Sequence, residues 1–78
     1  MPTVLNIDGF RFFFYSSDWK EPIHIHVEKD NNTAKIWLNP KRLQRSHGFS
    51  RKEINRILNI IEENYEIIER CWNEFFKN

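Results

Sequence analysis

The stretch EPIHIHVEKD, residues 21–30, decides the fold. From Ile23 to Glu28 the residues alternate without a break: Ile23, Ile25 and Val27 fall on one side, His24, His26 and Glu28 on the other. A period of two belongs to a strand with two different faces. A sheet built around this strand presents an apolar surface to a core and sets two imidazoles on the opposite surface. The flanking segments extend the pattern. TVLNI (3–7) runs into Asp8-Gly9, a strong hairpin-turn signal, and FRFFFYS (10–16) follows. SDWKEP has turn composition and is closed by Pro22. DNN (30–32) marks another turn and TAKIWL (33–38) another alternating strand. The expected sheet is an antiparallel meander of three to four strands within residues 3–38.

The second half reads as helical. Asn39 is a plausible N-cap with Pro40 at the first helical position, so PKRLQRS predicts a short helical turn over 40–46 that ends near Gly48. FSRKE then carries the clearest local signal in the chain. Ser50 and Glu53 have the spacing of a capping box, and Phe49 with Ile54 that of a hydrophobic staple. A long helix is expected over 51–76. Its apolar stripe is Ile54, Leu58, Ile61, Tyr65, Ile68, Trp72 and Phe75, widened by Ile57, Ile60, Ile67 and Cys71. At about 1.5 Å per residue this helix is roughly 40 Å long, whereas the strands reach only about 20 Å. Either it bends or breaks, or its last turns overhang the sheet. Trp72, Phe75 and Phe76 are therefore the candidate interface with a partner or a second copy. The expected class is α+β, one domain over residues 1–78, with the long helix covering one face of the sheet.

Composition narrows the setting. The chain has 78 residues, 40% of them hydrophobic, enough for one small folded domain. A single cysteine, Cys71, excludes an internal disulfide framework and fits a reducing, cytoplasmic location; on a helix face it reads as a buried thiol. The N-terminus has neither the charged region nor the apolar run of a secretion signal, and no membrane association is expected. The net charge of +1 hides an asymmetry. From Asn31 to Lys52 there is no acidic residue, while Lys35, Lys41, Arg42, Arg45, Arg51 and Lys52 supply cations. Such a block suits phosphate, or is a solvated connector that includes His47.

Alternation sorts the strand residues into two sets. Phe12, Phe14, Ile23, Ile25, Val27, Ala34, Ile36 and Leu38 form the core side. Arg11, Phe13, Tyr15, His24, His26, Glu28, Lys35 and Trp37 form the other, which mixes aromatics, cations and imidazoles. Such a surface suits single-stranded RNA: bases stack on Phe13 and Trp37, while Arg11, Lys41, Arg42 and Arg45 hold phosphates. His24 and His26 are the candidate acid–base pair for phosphodiester cleavage, with Lys35 on the developing charge and Tyr15 assisting. Two other readings stay open. The histidines with Glu28 are a partial metal-ligand set, but the spacing alone completes no site and no metal or cofactor is assigned. The same face also suits self-association or a partner protein. Trp19 reads as a turn residue packed over the sheet edge.

The blocks MPTVL, GFRFFFYSSD, EPIHIHV, AKIWLNP and GFSRKEI resemble a family of small bacterial and archaeal proteins catalogued as a domain of unknown function. The resemblance spans essentially the whole chain. Members typically read EPPHxHV where this chain has Ile23 in place of the second proline; the histidines, Arg11, Tyr15, Lys35, Trp37 and the Asn39-Pro40 corner match. The family's genes often sit in two-gene pairs, which implies a toxin–antitoxin-like module with a small partner protein encoded nearby. The expectation is a toxin-like component acting on RNA, as a metal-independent ribonuclease through the paired histidines. The alternative is a non-enzymatic interaction module.

Overall fold

The structure is a computed structural model that describes residues 3–77. Met1, Pro2 and Asn78, the ends of the expected domain, lie outside the described residues. Five strands form one antiparallel sheet in sequence order: β1 (Thr3–Ile7), β2 (Phe10–Phe13), β3 (His24–Lys29), β4 (Asn32–Leu38) and β5 (Lys41–His47). Two helices follow, α1 (Arg51–Glu63) and α2 (Tyr65–Phe75).

Tight turns set the register. Ile7 pairs with Phe10 around Asp8-Gly9, whose φ angles are +55° and +84°. Positive φ at both central positions is what a two-residue hairpin turn needs to match strand twist, hence the Asp-Gly pair. Lys29 pairs with Asn32, and Leu38 with Lys41, around two further two-residue turns. The expected helical turn at 40–46 is thus a fifth strand. KRLQRSH lacks the β-branched residues that mark strands, and its local preference is helical. Pairing overrides that preference, because β4 would otherwise leave a row of backbone donors and acceptors without partners. Gly48 is likewise no helix cap. At φ +91° it leaves β5 so close to Asn32 that an added Cβ would lie 2.0 Å from the Asn32 Oδ1, so a side chain there would have to displace Asn32 and hold a strained backbone.

The core lies where alternation put it. Phe12, Phe14, Ile25, Val27, Ala34, Ile36 and Leu38 are buried beneath Ile57, Ile60, Ile61 and Ile68 of the helices, and Ile23 packs beside them. The centre of the helical stripe is Ile57, Ile60 and Ile61, with Ile54 and Leu58 at its flank, a rotation from the expected stripe. The capping box forms in both directions: Ser50 Oγ accepts the Glu53 N–H at 3.1 Å, and Glu53 Oε1 accepts the Ser50 N–H at 2.9 Å.

The single long helix is corrected to two. At Asn64 the backbone leaves helical geometry (φ −120°, ψ 19°), and the side-chain amide donates to the Ile60 carbonyl at 2.8 Å. This is the competition with the backbone that makes Asn a poor helix-interior residue. The Tyr65 hydroxyl then donates to the Leu38 carbonyl at 2.9 Å and ties the start of α2 to the end of β4. The break resolves the mismatch of helix and sheet lengths. Trp72 and Phe76 pack on Phe14, with ring centroids 5.2 and 5.9 Å away, and of the three expected interface aromatics only Phe75 is exposed. Among the described residues no helix is long and apolar enough to cross a membrane.

Candidate functional site

The surface of β3 opposite the core is not an open platform. Register sets Arg11 opposite Glu28, Phe13 opposite His26, His26 opposite Lys35 and His24 opposite Trp37, so the expected residues do share one side of the sheet. They are covered to different depths. His24 has no exposed surface. Its ring is enclosed by Trp37 and Trp72, each 5.4 Å away between centroids, and by His26 at 5.0 Å. The expected open imidazole at position 24 is therefore corrected: Trp72 of α2 packs against it and it is fully buried. His26 retains 12% of its side-chain surface, between a stacked Phe13 ring and the edge of Tyr15.

The residue that organises this cluster is Asp18. The connection from β2 to β3 contains a single 3₁₀ turn, Asp18–Lys20. It directs a nearly buried carboxylate at both histidines. Asp18 Oδ1 lies 3.1 Å from His24 Nε2, and Oδ2 lies 3.1 Å from His26 Nε2. Oδ2 also accepts the Tyr15 backbone N–H at 2.7 Å, which fixes the carboxylate from behind. His24 Nδ1 is 2.8 Å from the Pro22 carbonyl oxygen. A carbonyl only accepts, so that nitrogen carries the proton. Nε2 is left buried and without a hydrogen bond. Burial pushes the His26 imidazole below its usual pKa, with Asp18 partly opposing the shift.

The other expected site residues divide by partner. Lys35 is buried, donates to Glu21 Oε1 at 2.6 Å and sits 4.7 Å over the Trp37 ring. The Lys35 hydrogen bond holds the Glu21 carboxyl below the usual range. Glu21 Oε1 is 3.8 Å from His24 Nε2. Tyr15 is exposed. Arg11 is bound to Glu28 and to Thr3 Oγ1, and lies 4.3 Å over the Phe13 ring, so Glu28 is drawn toward Arg11. Lys41 donates to Glu62 at 2.7 Å. Arg42 and Arg45 are exposed and, among the described residues, form no ion pair.

Sequence reasoning read Asp18 only as a turn residue. The available signal was an acidic side chain in the connection feeding an HxH strand, six residues before His24 and eight before His26. Linear spacing does not show that the connection folds back over the strand.

No curated protein and no solved structure matches the chain. The family model described as Domain of unknown function (DUF4160) matches residues 9–73, which include every residue of the Asp18 cluster. The chain belongs to this family of domains of unknown function.

Proposed function

We propose that this chain is the toxin-like member of a two-protein module and that it binds single-stranded RNA along β4 and β5. The toxin-like role rests on the family resemblance; the observation that carries RNA binding is a groove of about 330 Å³ lined by Pro22, Ile23, Trp37, Asn39, Pro40 and Arg42. Its wall includes an indole on which a base can stack, and Arg42, the strand partner of Trp37, stands at its side with no carboxylate partner among the described residues. Arg45 continues the cationic row opposite Lys35. Stacking on an aromatic wall beside a track of cations is how single strands are held without base-specific hydrogen bonds. The geometry favours binding over cleavage by paired histidines. A phosphodiester at this surface meets His26 and Lys35, while His24 is sealed off.

The test is binding of a fluorescein-labelled single-stranded RNA across a salt series. The expected result is a steep loss of affinity with salt. In the Arg42→Ala/Arg45→Ala variant the log–log slope should fall by about 0.7 for each phosphate that is no longer neutralised. Trp37→Ala should weaken binding by about 1–3 kcal/mol at an unchanged slope. No binding at low salt, or an unaltered slope in the double variant, contradicts the proposal. A second reading has its own observation. Trp19 is 61% exposed and Phe75 42% exposed, and both line one groove with Ser16 and Phe76. That groove suits a partner protein, and co-purification lost in Trp19→Ala but kept in Arg42→Ala/Arg45→Ala would favour it.

A further inference from the structure

We propose that Asp18, His24 and His26 bind a divalent transition-metal ion of the zinc class. The three offer ligand atoms that all lie within 4.8 Å of one another. Two ligands about 2.1 Å from a tetrahedral ion are about 3.4 Å apart, close to the 3.1 Å and 3.3 Å that separate Asp18 Oδ1 from Nε2 of His24 and of His26. Modest closure of the two imidazoles completes a three-ligand set.

Independent support comes from the state of His24. Its Nδ1–H is committed to the Pro22 carbonyl, so the lone pair of a neutral ring sits on Nε2. That atom is fully buried, has no hydrogen bond and faces a carboxylate oxygen. Lone pair against carboxylate is repulsive, and a cation between them relieves it. A backbone carbonyl on the far nitrogen is the arrangement that orients metal-bound histidines and fixes their tautomer. Two imidazoles with one carboxylate suit zinc, cobalt(II) or iron(II) better than magnesium or calcium, which favour oxygen.

Charge and surroundings agree. Asp18 and Glu21 supply two negative charges and Lys35 one positive, a net of one negative charge before the ion is added. Glu21 Oε1, at 3.8 Å from His24 Nε2, is placed to become a fourth ligand once Lys35 releases it. Trp37 and Trp72 close over His24 and keep bulk water from that side of the site. Glu28, the acidic partner that spacing offered to the pair, belongs to Arg11 instead.

The experiment is titration of the untagged, chelator-treated full chain with Zn²⁺ by calorimetry and with Co²⁺ by visible absorption. One equivalent per chain is expected, with cobalt bands of a nitrogen- and oxygen-ligated ion. Asp18→Asn keeps the size of the side chain and an oxygen to accept the Tyr15 N–H, and His26→Gln replaces the less buried ligand. Each should weaken binding by at least about tenfold while the circular dichroism spectrum stays native. His47→Gln, a change far along the sheet in β5, should bind as the wild type does. No stoichiometric binding by the wild-type chain would mean that a proton alone bridges Asp18 and His24, and would overturn the proposal. Equal binding by Asp18→Asn, His26→Gln and wild type would overturn it as well.

Discussion

His24 and Ile25 are adjacent in β3 and neither has any exposed surface, but they are buried by different means. Ile25 lies against a helical layer of isoleucines, where shape and apolarity suffice and partners are interchangeable within a volume limit. His24 lies in a closed polar shell: one carbonyl, one carboxylate and two indoles, each in a single place. A core needs only to exclude water. A buried imidazole needs named partners, because an uncompensated buried polar group costs about 1–3 kcal/mol. The proposed metal site gives these groups a use other than stability.

The sharpest way to break this comparison is to truncate each side and measure unfolding in urea. Ile36→Ala on the helix-covered side should lose about 2–5 kcal/mol, the usual range for a fully buried aliphatic residue. Asp18→Ala should lose less, about 1–3 kcal/mol, since it strands His26 and the Tyr15 backbone N–H without removing apolar packing. If Asp18→Ala proved the more damaging, the cluster would be a keystone of the fold and its reading as a functional site would fail.

These two outcomes also mark how far the sequence could be read. Alternation in residues 23–29 separated the core residues Ile23, Ile25 and Val27 from the histidines, because a strand's period of two is imposed by the backbone itself; it did not show that Trp72 of α2 covers His24. The capping box at Ser50 and the Asp8-Gly9 turn were legible for the same local reason. What was not legible depends on packing between distant segments. β5 exists because β4 has a free edge, and nothing within KRLQRSH says so. The break at Asn64 falls in an apolar stripe that continues on both sides of it. Asp18 sits in the cluster only because its turn folds back over His24 and His26, and Trp72 covers His24 only because α2 changes course.

A smaller effect concerns the joint between α2 and the sheet. Burial, chiefly, raises the Tyr65 pKa above its ordinary value, with Glu69 and Glu62 adding to the shift. A phenol with a raised folded-state pKa stabilises the fold fully below the unfolded value of about 10, and that contribution is lost as pH rises above it. Tyr65→Phe should cost about 0.5–1.5 kcal/mol near neutral pH through the lost bond to the Leu38 carbonyl. The gap between wild type and Tyr65→Phe should narrow as pH climbs above about 10. A gap that stays constant over that range would show that the hydroxyl titrates freely and does not anchor α2.

The central claim, that His24 turns Nδ1–H to Pro22 and Nε2 to Asp18 beside His26, is tested most directly by ¹⁵N NMR of the imidazole nitrogens. The chelator-treated chain would be recorded at neutral pH before and after one equivalent of Zn²⁺. The expected spectrum keeps a protonated His24 Nδ1 in both states. On addition of zinc the Nε2 signals of His24 and His26 move together to the metal-bound position, and they move less in Asp18→Asn. A His24 with bare Nδ1 and protonated Nε2, or Nε2 signals that ignore zinc, would contradict it.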